Sequence, residues 1–381
     1  MLRQLLEKNL YLNNFLRSII MRKFNNRVEK FIDEASKYDS IGNFEDFREF
    51  IKNFKNVYSS GIFSVKKSFS ESLLYGHINE MYNYAGLDKK DFIYFPIMEH
   101  GIQFYMQTKK NHPPRIFQGE YFLDEWRKEY VGNPYYVIGP YIHYARPYYD
   151  KETFDRMKSE LGKTLVIFPT HTYELAESKY NATKFVDYVM DTLAKDFDSV
   201  VVCSYWADLD HEINKLFSDR GAKIVSAGFR GDYNFIRRLR TIIELSDSVA
   251  ANSLGTFLGY SIYLKKPVIM FNGDIVSKMK DISVSEQMSS SMKDIENDFM
   301  KIFSLGKESF SEEQISLCNP YWGFDKIKTP EEIAAIFQVN KMIIKRAHGS
   351  IKNIGKAAQK VYKNAKLSEI QHRILKEALA K

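Results

Sequence analysis

Apolar residues recur every three to four positions over the first sixty residues, in LLEKNLYLNNFL and again in FREFIKNFKNVY. That spacing predicts amphipathic helices, with Asn43 or Asp46 placed to cap the second. From about residue 90 the pattern changes to short runs of β-branched, aromatic and aliphatic residues. These runs predict strands at DFIYFPI (91–97), RIFQ (115–118), YYVIGPYI (135–142), TLVIFPT (164–170), SVVVCSYW (199–206), AKIVSAG (222–228), DSVAANS (247–253) and PVIMF (267–271). TKFVDYVMDTLAKD and HEINKLFSDRG, between them, return to helical spacing. Strand, helix, strand at this rhythm predicts parallel sheets with right-handed crossovers. After residue 320 helices resume with TPEEIAAIF, where Thr329 is a cap and Pro330 takes the first helical position.

The pattern divides the chain into a helical N-terminal segment (1–60), an α/β domain (61–155), a second α/β domain (156–320) and C-terminal helices (321–381). The main boundary is PYYDKETFDRMKSELGK, which leads from one strand series to the next. The expected fold class is α/β: two Rossmann-like domains facing a cleft, with helical N- and C-terminal extensions. In open α/β sheets ligands bind at the carboxyl ends of the strands, so the cleft is the expected site.

Composition adds three constraints. A chain of 381 residues, 44% hydrophobic and 27% charged, is globular and long enough for two cores. An aromatic share of 15%, with 25 Tyr and 28 Phe, suits a carbohydrate-binding surface and equally an ordinary core. The two cysteines, Cys203 in an apolar run and Cys318, argue against a disulfide framework and for a reducing compartment. The opening segment is interrupted by charges, without the apolar region of a leader peptide, and no stretch is long enough to span a bilayer. A cytoplasmic protein is expected. Charge is uneven: Lys341–Lys381 carries eleven Lys/Arg against two acids, a net +9, and the chain's +7 leaves −2 for the rest. Such a tail suits an anionic partner.

The stretch ELSDSVAANSLGTFLGYSIYLKKPVIMF (244–271) is the richest in chemistry. A short strand runs into Ser253-Leu254-Gly255-Thr256, which opens a helix, and Lys266-Pro267 precedes another strand. Small and hydroxylic residues at such a turn expose backbone N–H groups and the positive end of a helix dipole, a seat for a phosphate. An N-capped crossover helix with no ligand has the same local pattern.

In this segment the chain resembles the donor-site signature of glycosyltransferases with the GT-B fold. The likeness extends to GKTLVIFPTHT (162–172), which resembles the first strand and phosphate-facing loop of their donor domain. YYVIGPYI resembles the last strand of their N-terminal domain. FPIMEHGI (95–102) resembles the His-Gly turn of capsule and teichoic-acid transferases, including the CDP-glycerol glycerophosphotransferase group. That group carries a second histidine, usually before proline, where this chain reads VVVCSYWADLD. Bacterial sialyltransferases share the same second feature, and this chain departs from them in the same way.

The resemblance implies a metal-independent transferase of bacterial surface polysaccharide synthesis. It would act on a nucleotide sugar as co-substrate, with no other cofactor, and on a glycan or lipid-linked glycan acceptor. A sugar hydroxyl must lose a proton as it attacks, and His100, or Glu99 beside it, is the candidate base. Ser253, Gly255, Thr256, Thr170, His171 and Arg230 are candidates for the donor phosphates. Ala227, Gly228 and Phe229 are candidates for the nucleobase. The Asp208–Asp210 pair resembles a metal-binding D-x-D, but Asp210 fits an N-cap of HEINKLF and Asp196–Asp198 repeats the pattern, so no metal site is assigned. Some rings of NPYYVIGPYIHYARPYY (133–149) are expected to line an acceptor channel and others to be core.

The basic tail, with Met342, Ile343, Ile344, Ile351, Ile354, Val361 and Leu367 among its lysines, has two readings. It is an interfacial helix on anionic lipid at the inner face of the cell membrane, or a pair of helices packed on the body. No nucleic-acid motif accompanies the charge. A CDP-polyol phosphotransferase on the same fold, and a non-catalytic membrane-associated scaffold, are the alternative functions.

Overall fold

The computed structural model describes residues 9–12, 15, 22–59, 74–88, 94–99, 101, 113–129, 132–171, 176–179, 181–271, 276–279, 294–304 and 310–379. The elements begin with helices α1 (Arg22–Lys37), α2 (Phe44–Ser59) and α3 (His77–Ala85). There follow β1 (Ile97–Met98), β2 (Arg115–Phe117), α4 (Leu123–Glu129), β3 (Tyr135–Val137) and α5 (Lys151–Leu161). The central stretch holds β4 (Thr164–Phe168), β5 (Ala176–Lys179), α6 (Ala182–Tyr188), β6 (Ser199–Cys203), α7 (Glu212–Ser218), β7 (Lys223–Val225), α8 (Phe235–Leu245), β8 (Ser248–Ala251), α9 (Thr256–Tyr263), β9 (Val268–Met270) and β10 (Val276–Met279). The chain ends in α10 (Glu312–Trp322), α11 (Pro330–Arg346), α12 (Ile354–Asn364) and α13 (Glu369–Ala378). The protein is α/β with parallel sheets. No described helix is long and apolar enough to cross a membrane.

The chain forms two compact units. The first comprises Met1–Asp33, Asn56–Ala145 and Asn319–Lys381, the second Glu34–Lys55 and Arg146–Cys318. The N-terminal helical region therefore does not stand apart, because Glu34–Lys55 packs in the second unit.

The first unit holds a parallel sheet in the order β1-β2-β3, with Ile97 opposite Arg115 and Arg115 opposite Tyr135. The YYVIGPYI run was expected to be one strand, yet β3 stops at Val137. The Ile138 and Gly139 N–H groups still donate to Phe117 and Gln118 at 3.1 and 3.0 Å, and there the chain turns away: Gly139 has φ +80 and Pro140 has no N–H to donate. Tyr135, Tyr136, Tyr141 and Tyr144 are buried, so these four rings are core, and Tyr141 meets His77 edge-on at 4.8 Å. Thr329 caps α11 as expected, in a reciprocal box. Its hydroxyl accepts from the Glu332 N–H, and Glu332 Oε2 accepts from the Thr329 N–H at 2.7 Å. The tail packs on the body: Ile343, Ile344, Ile351, Ile354 and Val361 are buried in one core with Leu10, Val339 and Leu375. Lys352, Lys356, Lys360 and Lys363 face solvent. The apolar residues are thus spent inside the unit, and any hold on an anionic surface is left to charge.

The second unit is built on a five-stranded parallel sheet in the order β7-β6-β4-β8-β9. Counted along the chain this is 3-2-1-4-5, the strand order of doubly wound nucleotide-binding sheets. Successive side chains of a strand point to opposite faces. Leu165, Ile167, Val200, Val202, Ala250 and Ile269 accordingly pack on Phe185 and Val186 of α6 and Ile213 and Phe217 of α7. On the other face Val166, Val201 and Val225 share an apolar space with Met157 and Leu161 of α5, Ile242 and Leu245 of α8, and Ile41. Helices on both faces explain why the strands are apolar throughout rather than alternating. An antiparallel ribbon pairs β5 with β10, which the hydrophobic pattern does not signal.

Two local expectations change. Asp210 does not cap α7. The helix begins one residue later, His211 Nδ1 accepts from the Ile213 N–H at 3.3 Å, and Asp210 pairs with Arg48 at 2.8 Å. The β6 strand ends at Cys203 rather than Trp206, so Tyr205 and Trp206 lie in the loop at its carboxyl end.

Candidate functional site

The strand order fixes where a site forms in the second unit. Strand β4 is first in the chain and central in the sheet. The chain leaves it on one side for β6 and later returns on the other side as β8. Phe168 shares by alternation the face of Val166, and its ring stacks on Phe257 of α9 at 4.4 Å. Helix α9 thus starts on one face of the sheet, while α6 covers the other. The loops after β4 and β8 are neighbours at this point, and the reversal of strand order is where open α/β sheets hold ligands.

Several residues singled out in the sequence meet here. Pro169, Thr170 and His171 follow β4, and Asn252, Ser253, Leu254 and Gly255 lead from β8 into α9. Asn252 joins the two loops. Its Oδ1 accepts from the Thr170 N–H at 2.7 Å and from the Thr170 hydroxyl at 3.0 Å. The Asn252 side chain is 1% exposed, whereas Ser253, Leu254, Gly255 and Thr256 are half-exposed. Gly255 is the N-cap of α9 in an extended conformation and has no side chain to cap the first turn, where the Leu258 N–H donates to the Gly255 carbonyl at 3.0 Å. The positive end of the helix dipole at this place favours negative charge.

Aromatic rings continue the edge away from β4. His171 stacks on Tyr205 at 4.2 Å, Tyr205 touches Trp206 at 5.6 Å, and Trp206 meets Phe229 edge-on at 5.1 Å. This row runs from the end of β4 past β6 to the end of β7. Ala227, Gly228 and Phe229 are buried, Phe229 fully, so a base at this place could reach their backbone but not the Phe229 ring. Gly228 has φ +97, and a Cβ there would lie 2.6 Å from Arg238 Nη1. Arg230 follows in the same loop, half-buried. It follows β7, the edge strand two places from β4 in the sheet.

The acid–base candidate lies in the first unit. Glu99 follows β1 at the carboxyl edge of the three-stranded sheet and is 3% exposed. Its Oε1 accepts from the Gln118 N–H at 3.2 Å, just past the end of β2. Burial pushes its pKa from 4.5 up to about 7, against the opposing pull of the Arg115 charge and the Gln118 N–H. A carboxyl titrating there exists in both forms near neutrality, which general-base work requires. Gly119 allows the chain to pass: a Cβ on it would lie 2.2 Å from the Pro320 carbonyl oxygen. His100 lies outside the described residues.

Asn252, Tyr205 and Gln118 were not singled out from sequence. The signal for Asn252 was its place, a buried amide between an apolar strand and a helix-opening Ser-x-Gly. Comparison with known proteins finds no family model, no curated protein and no solved structure that matches the chain.

Proposed function

We propose that the chain is a glycosyltransferase of the GT-B kind, taking a sugar from a nucleotide-activated donor. The observation that supports this reading is the reversal of strand order at β4 and β8. There the loop after β4, with Thr170 and His171, is hydrogen-bonded through Thr170 to the loop that carries Ser253 and Gly255 into the amino end of α9 at Thr256. An amino end stabilises the diphosphate as negative charge develops on the leaving group, so no metal ion is required. On this reading Glu99, or His100 next to it, takes the proton of the acceptor hydroxyl, and the His171 and Tyr205 rings flank the nucleoside. The acceptor is a surface glycan, lipid-linked or free. The lysines of α12, each adding on the order of 1 kcal/mol near an anionic surface, hold the protein at the cytoplasmic face of the membrane.

The test is a melting screen of the full chain against UDP, GDP, CMP, CDP and dTDP, followed by product analysis with the matching sugar conjugate. One nucleotide and its conjugate are expected to raise Tm, because binding at 100-fold over Kd adds about 2.7 kcal/mol of stability. Indifference to every nucleotide contradicts the reading and fits a scaffold without chemistry.

A further inference from the structure

We infer that Tyr121 and Tyr321 form a platform for the acceptor glycan, packing against the apolar face of a pyranose ring behind the sugar that reacts. The inference deepens the proposed transferase reading and takes from it that the acceptor is a glycan.

Tyr135, Tyr136, Tyr141 and Tyr144 are buried and cannot touch a glycan, so acceptor contacts in the first unit come from other rings. Tyr121 is 37% exposed, and its ring stacks on the half-exposed ring of Tyr321 at 4.3 Å and 28°. Both residues belong to the first unit. Phe122 meets Tyr121 edge-on at 4.8 Å and packs against the core of Phe117, Leu123, Trp126 and Tyr135. The backbone holds the pair in place. The Tyr121 N–H donates to the Pro320 carbonyl at 3.0 Å. A Cβ on Gly119 would lie 2.2 Å from that same oxygen, and one on Gly323 would lie 2.4 Å from the Gln118 carbonyl oxygen. Two glycines thus let segments 118–121 and 320–323 lie against each other, and the tyrosines stand on one rigid seam. Side chains fixed before binding lose little freedom when a ligand arrives.

The seam has a polar rim. Lys326 pairs with Glu120 at 3.4 Å and with Asp325 at 3.1 Å, and both carboxylates are exposed. Apolar surface rimmed by polar groups marks a ligand surface. The ligand that uses both sets is itself amphipathic: sugar C–H groups cover the ring faces, while sugar hydroxyls exchange hydrogen bonds with the phenols and the charged rim. The seam follows β2 at the carboxyl edge of the three-stranded sheet, where open α/β sheets hold ligands. Gln118, whose N–H donates to Glu99 Oε1 at 3.2 Å, precedes Tyr121 by three residues, at most about 11 Å of chain. A glycan resting on the tyrosines is thus close enough to bring another sugar of its chain to Glu99.

The experiment titrates the full chain, without nucleotide, with maltohexaose, cellohexaose and chitohexaose by ligand-observed NMR. At least one should bind with a Kd of about 1 mM or below. Tyr121→Ala should weaken that binding about 10-fold, the worth of one aromatic contact, whereas Tyr121→Phe, which keeps the stack, should bind as wild type does. Failure of all these sugars to bind the wild type overturns the inference. Equal affinity in Tyr121→Ala overturns it too, as does a loss in Tyr121→Phe as large as in Tyr121→Ala. A second measurement needs no variant: in wild type with labelled tyrosines, NOEs should join the Tyr121 ring to sugar C–H protons, and NOEs confined to other rings count against the platform. The two proposals fail separately. Oligosaccharide binding that depends on Tyr121, without transfer from any nucleotide sugar, removes the transferase reading alone. Sugar transfer by Tyr121→Ala at the wild-type kcat/KM for the acceptor removes the platform alone.

Discussion

Glu99→Gln should lower sugar transfer by about 10²- to 10⁴-fold and leave nucleotide binding unchanged, the range for removing a general base. The amide keeps an acceptor for the Gln118 N–H, 3.2 Å from Glu99 Oε1, so the local geometry survives while the basic site is lost. The wild-type rate should itself rise with pH through about 7, because only the carboxylate accepts a proton. The same residue makes a stability prediction of definite sign. Its folded pKa lies above the unfolded value, so the protonated carboxyl contributes stability that is complete below pH 4.5 and lost as pH rises through about 7. The difference corresponds to about 3 kcal/mol. Glu99→Gln, which cannot ionise, should therefore melt higher than wild type at pH 8 and lose that advantage at pH 4.5. Initial rates and melting curves at both pH values check the two effects together. Full turnover in the variant transfers the role of base to another group, with His100 the first candidate.

Asp232→Ala should destabilise the second unit by about 3–5 kcal/mol, the cost of leaving a buried charge uncompensated. Asp232 and Arg238 are both fully buried and form an ion pair. Arg238 also donates to the carbonyls of Ser36 at 3.2 Å and Tyr38 at 2.6 Å and to the Tyr148 hydroxyl at 3.3 Å. One guanidinium thus ties Glu34–Lys55 and the start of Arg146–Cys318 to the loop between β7 and α8. That loop contains Gly228, whose left-handed backbone leaves room for the arginine. Urea unfolding should show a lower midpoint in Asp232→Ala. A change below about 1 kcal/mol would mean that the pair is not what holds these segments. The double variant Asp232→Leu/Arg238→Met should recover much of the loss, since apolar pairs of similar volume often replace buried ion pairs without penalty.

The sheet of the second unit was legible because its signals are local. TLVIFPT, SVVVCSYW, DSVAANS and PVIMF are apolar throughout, as doubly covered strands must be, and each contains its observed strand. The Ser253–Thr256 turn was visible because small residues between a strand and a helix mark a backbone that donates. Other features depend on distant pairings that no window contains. Asn252 acquires its meaning from Thr170, 82 positions away. Arg238 looks like one basic residue of an amphipathic helix until Ser36 and Tyr38 close over it. The tail shows the opposite error of emphasis: its alternation of isoleucines and lysines fits a membrane surface as well as a protein core, and burial of Ile343, Ile354 and Val361 decides where those side chains go. Strand ends were overextended where a turn follows, at Gly139-Pro140 and at Ser204, because aromatic residues carried the apolar pattern past the last ladder bond.

The central claim is that the amino end of α9, beside β4 and β8, holds the phosphates of a nucleotide. The most direct measurement is an experimental structure of the full chain with the nucleotide that raises its melting temperature most. The account predicts phosphate oxygens within hydrogen-bond distance of the backbone N–H groups at Gly255–Thr256. A nucleotide bound elsewhere, with that helix end turned to solvent or closed by other residues, contradicts it.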